Sequence, residues 1–128
     1  MKKIVLLLAF LVASVYADVK YTDMFDAYDV AKDEKKLVLV MLSQKGCAGC
    51  QYMESVVFTN KDVSAYLEKA YVTVHIDIHE DSAPIGMDHF ATPTFYFVDA
   101  DEKILKRLNG GENAKDFLTT LKKVNEKR

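Results

Sequence analysis

The stretch Ser43–Glu54 reads SQKGCAGCQYME and contains the two cysteines of the 128-residue chain, Cys47 and Cys50. It follows the apolar run Leu37–Leu42, which is typical of a strand buried on both faces of a sheet. A helix that begins at the first cysteine places that sulfur beside free backbone N–H groups and the positive end of the helix dipole, which favours a thiolate. The second sulfur lies one turn further on, within reach for a disulfide. This pattern predicts a redox-active dithiol.

A structural zinc site and a stabilising disulfide are the alternative interpretations of this pair. A structural zinc site takes four ligands, normally from two such pairs, whereas this chain has one pair and three histidines, His75, His79 and His89. His75 and His79 share one face of a predicted strand, but no third ligand stands at a known spacing. A bridge that closes so short a loop restrains the unfolded chain little. We therefore favour redox chemistry and predict no metal site.

Residues 1–17 have the pattern of a secretory signal peptide. They combine a basic start, an uncharged apolar stretch (Ile4–Val12), and the small residues Val15 and Ala17 before the expected cleavage site. The apolar stretch is shorter than the ~20 residues that span a bilayer. Because no cysteine follows the cleavage site, we predict no lipid anchor. We expect a soluble exported domain, residues 18–128, in the periplasm.

The expected mature chain has the size and charge of one small acidic domain. Cleavage leaves 111 residues, with 15 basic and 19 acidic side chains and a net charge of −4. This charge argues against nucleic acid as a partner. Cysteines in an oxidising compartment usually end in disulfides, so two cysteines in one motif suggest a pair kept for exchange. We expect a monomer.

The rest of the chain alternates between strand and helix patterns, which predicts an α/β fold: a central mixed sheet of four to five strands with helices on both faces. The predicted elements are a short edge strand Val19–Tyr21, a helix capped by Thr22 that ends near Lys35, the strand Leu37–Leu42, the cysteine helix to about Phe58, a short helix after a cap at Thr59-Asn60, the strand Tyr71–Ile78, an irregular segment 80–89, a hairpin of Thr94–Val98 and Lys103–Leu108, and a helix capped by Asn113.

Several short blocks of sequence occur in a characteristic order. They are Cys47–Cys50 with Met53 and Glu54, Val57–Asn60 with Val63 and Leu67, His75–Asp77, Phe90–Thr94, and Phe97–Asp99. On these blocks the chain resembles the thioredoxin superfamily over essentially its whole mature length. Within that superfamily it is most similar to the C-terminal periplasmic domain of the transmembrane thiol:disulfide interchange reductase and to small exported thioredoxins of that type. The resemblance implies the thioredoxin fold.

Three side chains are expected to carry the chemistry. Cys47, exposed beyond the helix end, is the expected nucleophile, and Cys50 is expected to resolve the mixed disulfide. Glu54 follows Cys50 by four residues and shares its helical face. It would either take the proton of Cys50 or raise the thiol pKa values through its charge. A solvated surface acid is the alternative, and the resemblance favours function because the interchange reductase domain has an acid here.

The resemblance also implies a substrate groove at Gly46, Thr92 and Pro93. Pro93 is expected to be cis and to face the cysteines, leaving backbone groups of Thr92 free to pair with an extended substrate segment. Two positions depart from the family pattern. Gly46 replaces the usual Trp, so an aromatic rim of the groove is missing, and Met41 replaces the usual buried acid, which puts proton handling by that route in doubt.

The expected partners are protein disulfides, with apocytochrome c among the candidates, and a membrane protein whose dithiol donates electrons. No nucleotide or flavin motif is present, so we predict no cofactor. Ala48 and Gly49 offer no charge that would stabilise a thiolate and make the pair a strong oxidant, which favours a reductase. A disulfide oxidase or isomerase, and a copper chaperone that binds through Cys47 and Cys50, remain as alternatives.

Overall fold

One mixed sheet of four strands organises residues 19–128, the part of the chain that the computed structural model describes. The strands are β1 (Leu37–Ser43), β2 (Tyr71–Asp77), β3 (Thr94–Val98) and β4 (Ile104–Asn109). Their order across the sheet is β2-β1-β3-β4. β1 runs parallel to β2 and antiparallel to β3, and β4 pairs with β3 as the predicted hairpin. The predicted fold is confirmed, while the expected signal peptide, residues 1–17, lies outside the described residues.

Helices cover both faces of this sheet. They are α1 (Met24–Glu34), α2 (Ala48–Tyr52), a π-helix (Met53–Val57), α3 (Lys61–Ala70) and α4 (Ala114–Glu126). α1 packs on one face together with part of the 78–93 segment, and the other helices pack on the opposite face. The cysteines belong to the second of these two layers.

The continuous apolar run of β1 is explained by its central position. Because successive side chains of a strand point to opposite faces, Leu37, Leu39 and Met41 enter the cluster that contains the cysteines, whereas Val38, Val40 and Leu42 enter the cluster beneath α1. All seven residues of β1 are buried. A strand with helices on both sides therefore needs apolar residues at every position.

Two predicted details at the start of the domain are wrong. The cap of α1 is Asp23, whose carboxylate accepts from the N–H of Phe25, and not Thr22. The N–H of Thr22 instead donates to the carbonyl of Thr73 at 2.8 Å, so the chain is still attached to the sheet there. The expected edge strand is reduced to a single parallel bridge between Tyr21 and Thr73. The predicted caps Asn60 and Asn113 are confirmed.

The prediction of one regular α-helix from the cysteines to Phe58 is wrong. The helix widens into a π-helix after Tyr52. The N–H of Phe58 donates to the carbonyl of Met53, five residues earlier, at 2.8 Å. Met53, Val57 and Phe58 are all at most 2% exposed. The wider turn lets residues four and five positions apart face the same core.

The segment between β2 and β3 is irregular, as predicted, and carries the loop that reaches the cysteines. Met87 anchors it in the cluster beneath α1. Tyr96 also holds it, because its hydroxyl donates to the carbonyl of Asp88 at 2.6 Å. Within residues 19–128, no helix is both long and apolar enough to cross a membrane.

Candidate active site

The site begins in the turn between β1 and α2. β1 ends at Ser43, and Gly46 has φ +79°, a conformation that side chains disfavour. No heavy atom lies within 4 Å of a Cβ built on Gly46, so the constraint is on the backbone and not on space. Gly46 is exposed beside Cys47. It has no side chain, and the groove therefore lacks an aromatic rim at this position, as expected from the sequence.

Cys47 and Cys50 form a disulfide across the first turn of α2, with their Cα atoms 5.3 Å apart. Cys47 is the N-cap, and its sulfur accepts from the N–H of Cys50 at 3.1 Å. The two sulfurs differ in access, because Cys47 is 9% exposed and Cys50 only 1%. An incoming thiol or disulfide therefore meets Cys47 first.

The second part of the site is the loop before β3. The Thr92-Pro93 peptide bond is cis, as the resemblance implied. The Thr92 carbonyl oxygen lies 3.3 Å from the sulfur of Cys47. The carbonyl of Pro93 accepts from the N–H of Gly110 at 2.8 Å, which ties the loop to the end of β4. The structure thus brings Thr92 and Pro93 to the cysteines.

Gly49 is a site residue that sequence reasoning missed. A Cβ built on Gly49 would lie 3.2 Å from Cδ of Pro93, so a side chain here would push against the proline ring. The signal in the sequence was a glycine within the first turn of a helix, where glycine is unfavourable without a packing reason.

The surroundings of the disulfide are apolar on the side that faces the sheet. Met41, Met53 and Phe95 are fully buried and share one cluster with both cysteines. Apolar surroundings of this kind do not solvate a charged group. Met41 stands where the family usually has a buried acid, so this part of the site offers no proton acceptor.

Glu54 lies at the border of the apolar cluster and binds His75. Its carboxylate oxygen Oε1 lies 2.5 Å from Nε2 of the imidazole, and both side chains are partly exposed. The ring of Tyr21 packs on the imidazole with centroids 5.1 Å apart. Burial, and secondly the charge of Glu54, raises the pKa of Tyr21 to about 12. The contact of His75 with Glu54 was missed from the sequence, since it joins β2 to the π-helix, two elements 21 residues apart in the chain.

The other histidines stand apart from this contact. His79 and His89 are exposed. In the described range, 19–128, the structure contains no group of three or more His, Cys, Asp or Glu side chains arranged to hold a metal ion.

A family profile described as a thioredoxin-like domain matches residues 24–125. The chain belongs to this family. With a disulfide-forming Cys-x-x-Cys at the start of α2, it is a thiol:disulfide oxidoreductase of the thioredoxin-like class. No curated protein sequence matches the chain.

Solved structures share the fold at low sequence identity. The thioredoxin from Thermus thermophilus is 24% identical, with a TM-score of 0.68 over 84% of this chain and 87% of that one. The periplasmic thioredoxin SoxS from Paracoccus pantotrophus is 21% identical, with a TM-score of 0.55 over 71% and 97%. The oxidised C-terminal domain of DsbD from Neisseria meningitidis is 17% identical, with a TM-score of 0.57 over 75% and 87%.

Proposed function

We propose that the protein is a periplasmic reductase of protein disulfides in which Cys47 attacks the substrate and Cys50 releases it. The observation that carries this proposal is the asymmetry of the pair. Cys47 keeps 9% exposure beside the Thr92 carbonyl, whereas Cys50 keeps only 1%. A buried second thiol is protected from reacting first, and it is placed to attack the first sulfur.

The reaction then has two exchanges. The Cys47 thiolate attacks one sulfur of the substrate disulfide, a Cys47–substrate bond forms, and the other substrate sulfur leaves and takes a proton. Cys50 loses its proton and attacks Cys47, which forms the Cys47–Cys50 disulfide and releases the second substrate thiol. Two electrons have passed to the substrate. A dithiol on another protein restores the enzyme by the same steps in reverse, so no cofactor is needed.

Gly46, Thr92 and Pro93 form the proposed substrate groove. An extended segment next to the substrate disulfide would pair with the backbone of Thr92, as an added strand pairs with a sheet edge. The contact of the Thr92 carbonyl with the Cys47 sulfur supports this, because a segment bound there would present its own sulfur to Cys47. Gly46 leaves the opposite side of the groove without a side chain.

Reduction is the proposed direction. The two residues between the cysteines, Ala48 and Gly49, carry no charge, and a stabilised thiolate is what makes such a pair strongly oxidising. The proposed electron donor is a membrane protein with an exposed dithiol, and apocytochrome c is a candidate substrate. Export rests on the pattern of residues 1–17, and two of the structural neighbours are a periplasmic thioredoxin and a DsbD domain.

Insulin reduction by the mature protein, with dithiothreitol as the electron source, tests the activity. Cys47→Ser should abolish it, while Cys50→Ser should accumulate mixed disulfides that survive denaturing electrophoresis. Equal trapping by both variants would contradict the assigned roles.

The reduction potential tests the direction: a value near that of thioredoxin, about −270 mV, supports a reductase, and one near −120 mV indicates an oxidase. Tight stoichiometric copper binding without insulin reduction would indicate the chaperone.

Fractionation of the cell tests the proposed location. The protein should appear in the periplasmic fraction with Asp18 as its first residue, which N-terminal mass spectrometry would show. Recovery of the uncleaved chain in the cytoplasm would contradict export.

A further inference from the structure

The contact between Glu54 and His75 joins two elements that are far apart in the sequence. Glu54 belongs to the π-helix and His75 to β2, and their Oε1 and Nε2 atoms are 2.5 Å apart. An ionised carboxylate only accepts hydrogen bonds. With Glu54 ionised, Nε2–H of the imidazole is the donor in this contact, which fixes one carboxylate oxygen in place.

This contact lies next to the buried cysteines. His75 is paired in register with Met41 across the parallel strands β2 and β1, so both side chains point to the same face of the sheet. Met41 belongs to the cluster that contains Cys47 and Cys50. The imidazole therefore stands at the border of the apolar pocket in which the second thiol is buried.

Glu54 approaches Cys50 along the helix. The intervening residues Tyr52 and Met53 have right-handed helical angles, φ −60° and ψ −47° and φ −60° and ψ −45°. Residues four apart in such a helix have Cβ atoms about 5–6 Å apart. Glu54 thus starts about one turn beyond Cys50, on the neighbouring part of the same helix, and its side chain can turn toward the Cys50 thiol.

Cys50 needs a proton acceptor in this pocket. It is 1% exposed among apolar side chains, where ionisation of a thiol is disfavoured. It nevertheless has to lose its proton before it attacks Cys47. A glutamate on a helix surface samples several rotamers and seldom directs one oxygen to a fixed point. A hydrogen bond to one carboxylate oxygen removes much of that freedom.

We propose that His75 is a positioning residue that holds Glu54 in the orientation needed to deprotonate Cys50. This proposal rests on the proposed function. Nε2–H of His75 donates to Oε1, and Oε2 takes the proton as the Cys50 S–H bond breaks. The Cys50–Cys47 bond then forms, the Cys47–substrate bond breaks, and the electron pair leaves on the substrate sulfur. That sulfur takes a proton from Glu54, which restores the carboxylate.

Tyr21 supports the same arrangement from the other side of the imidazole. Its ring lies 5.1 Å from the imidazole centroid and limits rotation of the ring. The charge of Glu54 contributes to the raised pKa of Tyr21, which places the carboxylate in the same small region.

A two-phase reaction separates the role of His75 from that of Cys47. The probe is a symmetrical nitrobenzoate disulfide, each half of which becomes coloured on release. Reduced protein releases the first half when Cys47 attacks and the second when Cys50 attacks. Stopped-flow absorbance then gives one rate for each step.

His75→Leu should slow the second phase about tenfold, because a hydrogen bond to a charged group is lost, and should leave the first within about twofold. His75→Gln keeps a donor near the position of Nε2 and should stay within about threefold of the unmodified protein in both phases. His79→Leu is the matched control, since His79 is exposed in the turn that follows β2, and it should change neither phase.

A double variant tests whether the two residues act as a unit. Glu54→Gln with His75→Leu should release the second half no more slowly than Glu54→Gln alone. An unchanged second phase in His75→Leu would overturn the proposal. Equal slowing of both phases would indicate a general distortion of the site and would also overturn the proposal. Additive losses of rate in the double variant would overturn it as well. Failure of the unmodified protein to reduce insulin would instead remove the proposed function, since the two phases are measured without a protein substrate.

Discussion

The two sides of the cysteine helix differ in what they contribute. On the inner side, Cys50, Met53 and Val57 are at most 1% exposed and pack in the main apolar cluster. On the outer side, at the solvent edge of the face that carries Cys50, Glu54 is partly exposed and contacts His75. Burial of apolar surface is the main source of stability, whereas a half-exposed ion pair contributes little. We therefore expect the inner side to set the stability of this helix and the outer side to set its reactivity.

Phe58 is the position at which a substitution should disrupt the packing of the inner side most. Its ring is 2% exposed and lies with its centroid 6.2 Å from that of Phe95 and 5.8 Å from that of Phe117. Phe58→Ala should lower the free energy of unfolding by about 3–5 kcal/mol, since it leaves a cavity among three packed rings. Urea denaturation of the oxidised protein measures this.

Val56→Ala is the control, because Val56 precedes Phe58 by two residues, within the π-helix, but is 50% exposed. It should change the free energy of unfolding by no more than about 0.5 kcal/mol. Similar costs for the two variants would contradict the division between inner and outer sides.

A smaller effect is expected at Tyr71, at the far end of the same cluster. Its hydroxyl donates to the carbonyl of Leu121 at 2.7 Å, and the side chain is 3% exposed. Tyr71→Phe leaves that carbonyl without its donor and should cost about 1–2 kcal/mol of stability in urea denaturation near neutral pH. A cost near zero would show that water replaces the hydroxyl.

Tyr71→Phe should also weaken the loss of stability at alkaline pH. Burial raises the pKa of Tyr71 above its ordinary value, so the folded chain holds this proton more strongly than the unfolded chain. The resulting stability is complete below about pH 10 and is lost as the pH rises above it. The free energy of unfolding measured across this range should fall less steeply in Tyr71→Phe than in the unmodified protein.

The apolar core around the sheet was largely predictable from the sequence, but the shape of the cysteine helix and the contacts on its outer side were not. The apolar run of β1 and the helical spacing around Phe117 follow directly from periodicity, because each side chain there has one requirement, which is burial. The π-helix was missed because it depends on three buried positions, Met53, Val57 and Phe58, that a regular helix cannot all satisfy. Local pattern does not show how a helix adjusts to the sheet beneath it.

The site was predictable where it lies within one motif. Cys47 and Cys50 follow from their spacing, and the cis bond at Pro93 followed only from the resemblance. The contact of Glu54 with His75 depends on the register between β1 and β2, which places Met41 beside His75. Register is set by the packing of the whole sheet, so the sequence placed His75 on a strand face, predicted no metal site there, and did not pair it with Glu54.

The smallest effect on stability is expected on the outer side, at Glu54. Glu54→Gln should change the free energy of unfolding by less than about 1 kcal/mol, because the pair with His75 is partly exposed to water. Its electrostatic effect should be visible at Tyr21, whose pKa of about 12 is due first to burial and secondly to the charge of Glu54. Removing that charge should lower the pKa of Tyr21 but leave it above the ordinary value of about 10, since burial remains.

NMR of labelled tyrosine rings measures this titration, and the Tyr21 signal is assigned with Tyr21→Phe. The control is Glu68→Gln, which removes an exposed acid on α3 and should leave the Tyr21 titration unchanged. A large loss of stability in Glu54→Gln with an unchanged Tyr21 titration would mean that the carboxylate supports the fold and that its charge does not affect the pKa of Tyr21. The outer side would then be a second structural surface, and the separation between stability and reactivity along this helix would be wrong. A lowered Tyr21 pKa with little change in stability would instead locate the charge of Glu54 beside His75 in solution, where the deprotonation of Cys50 requires it.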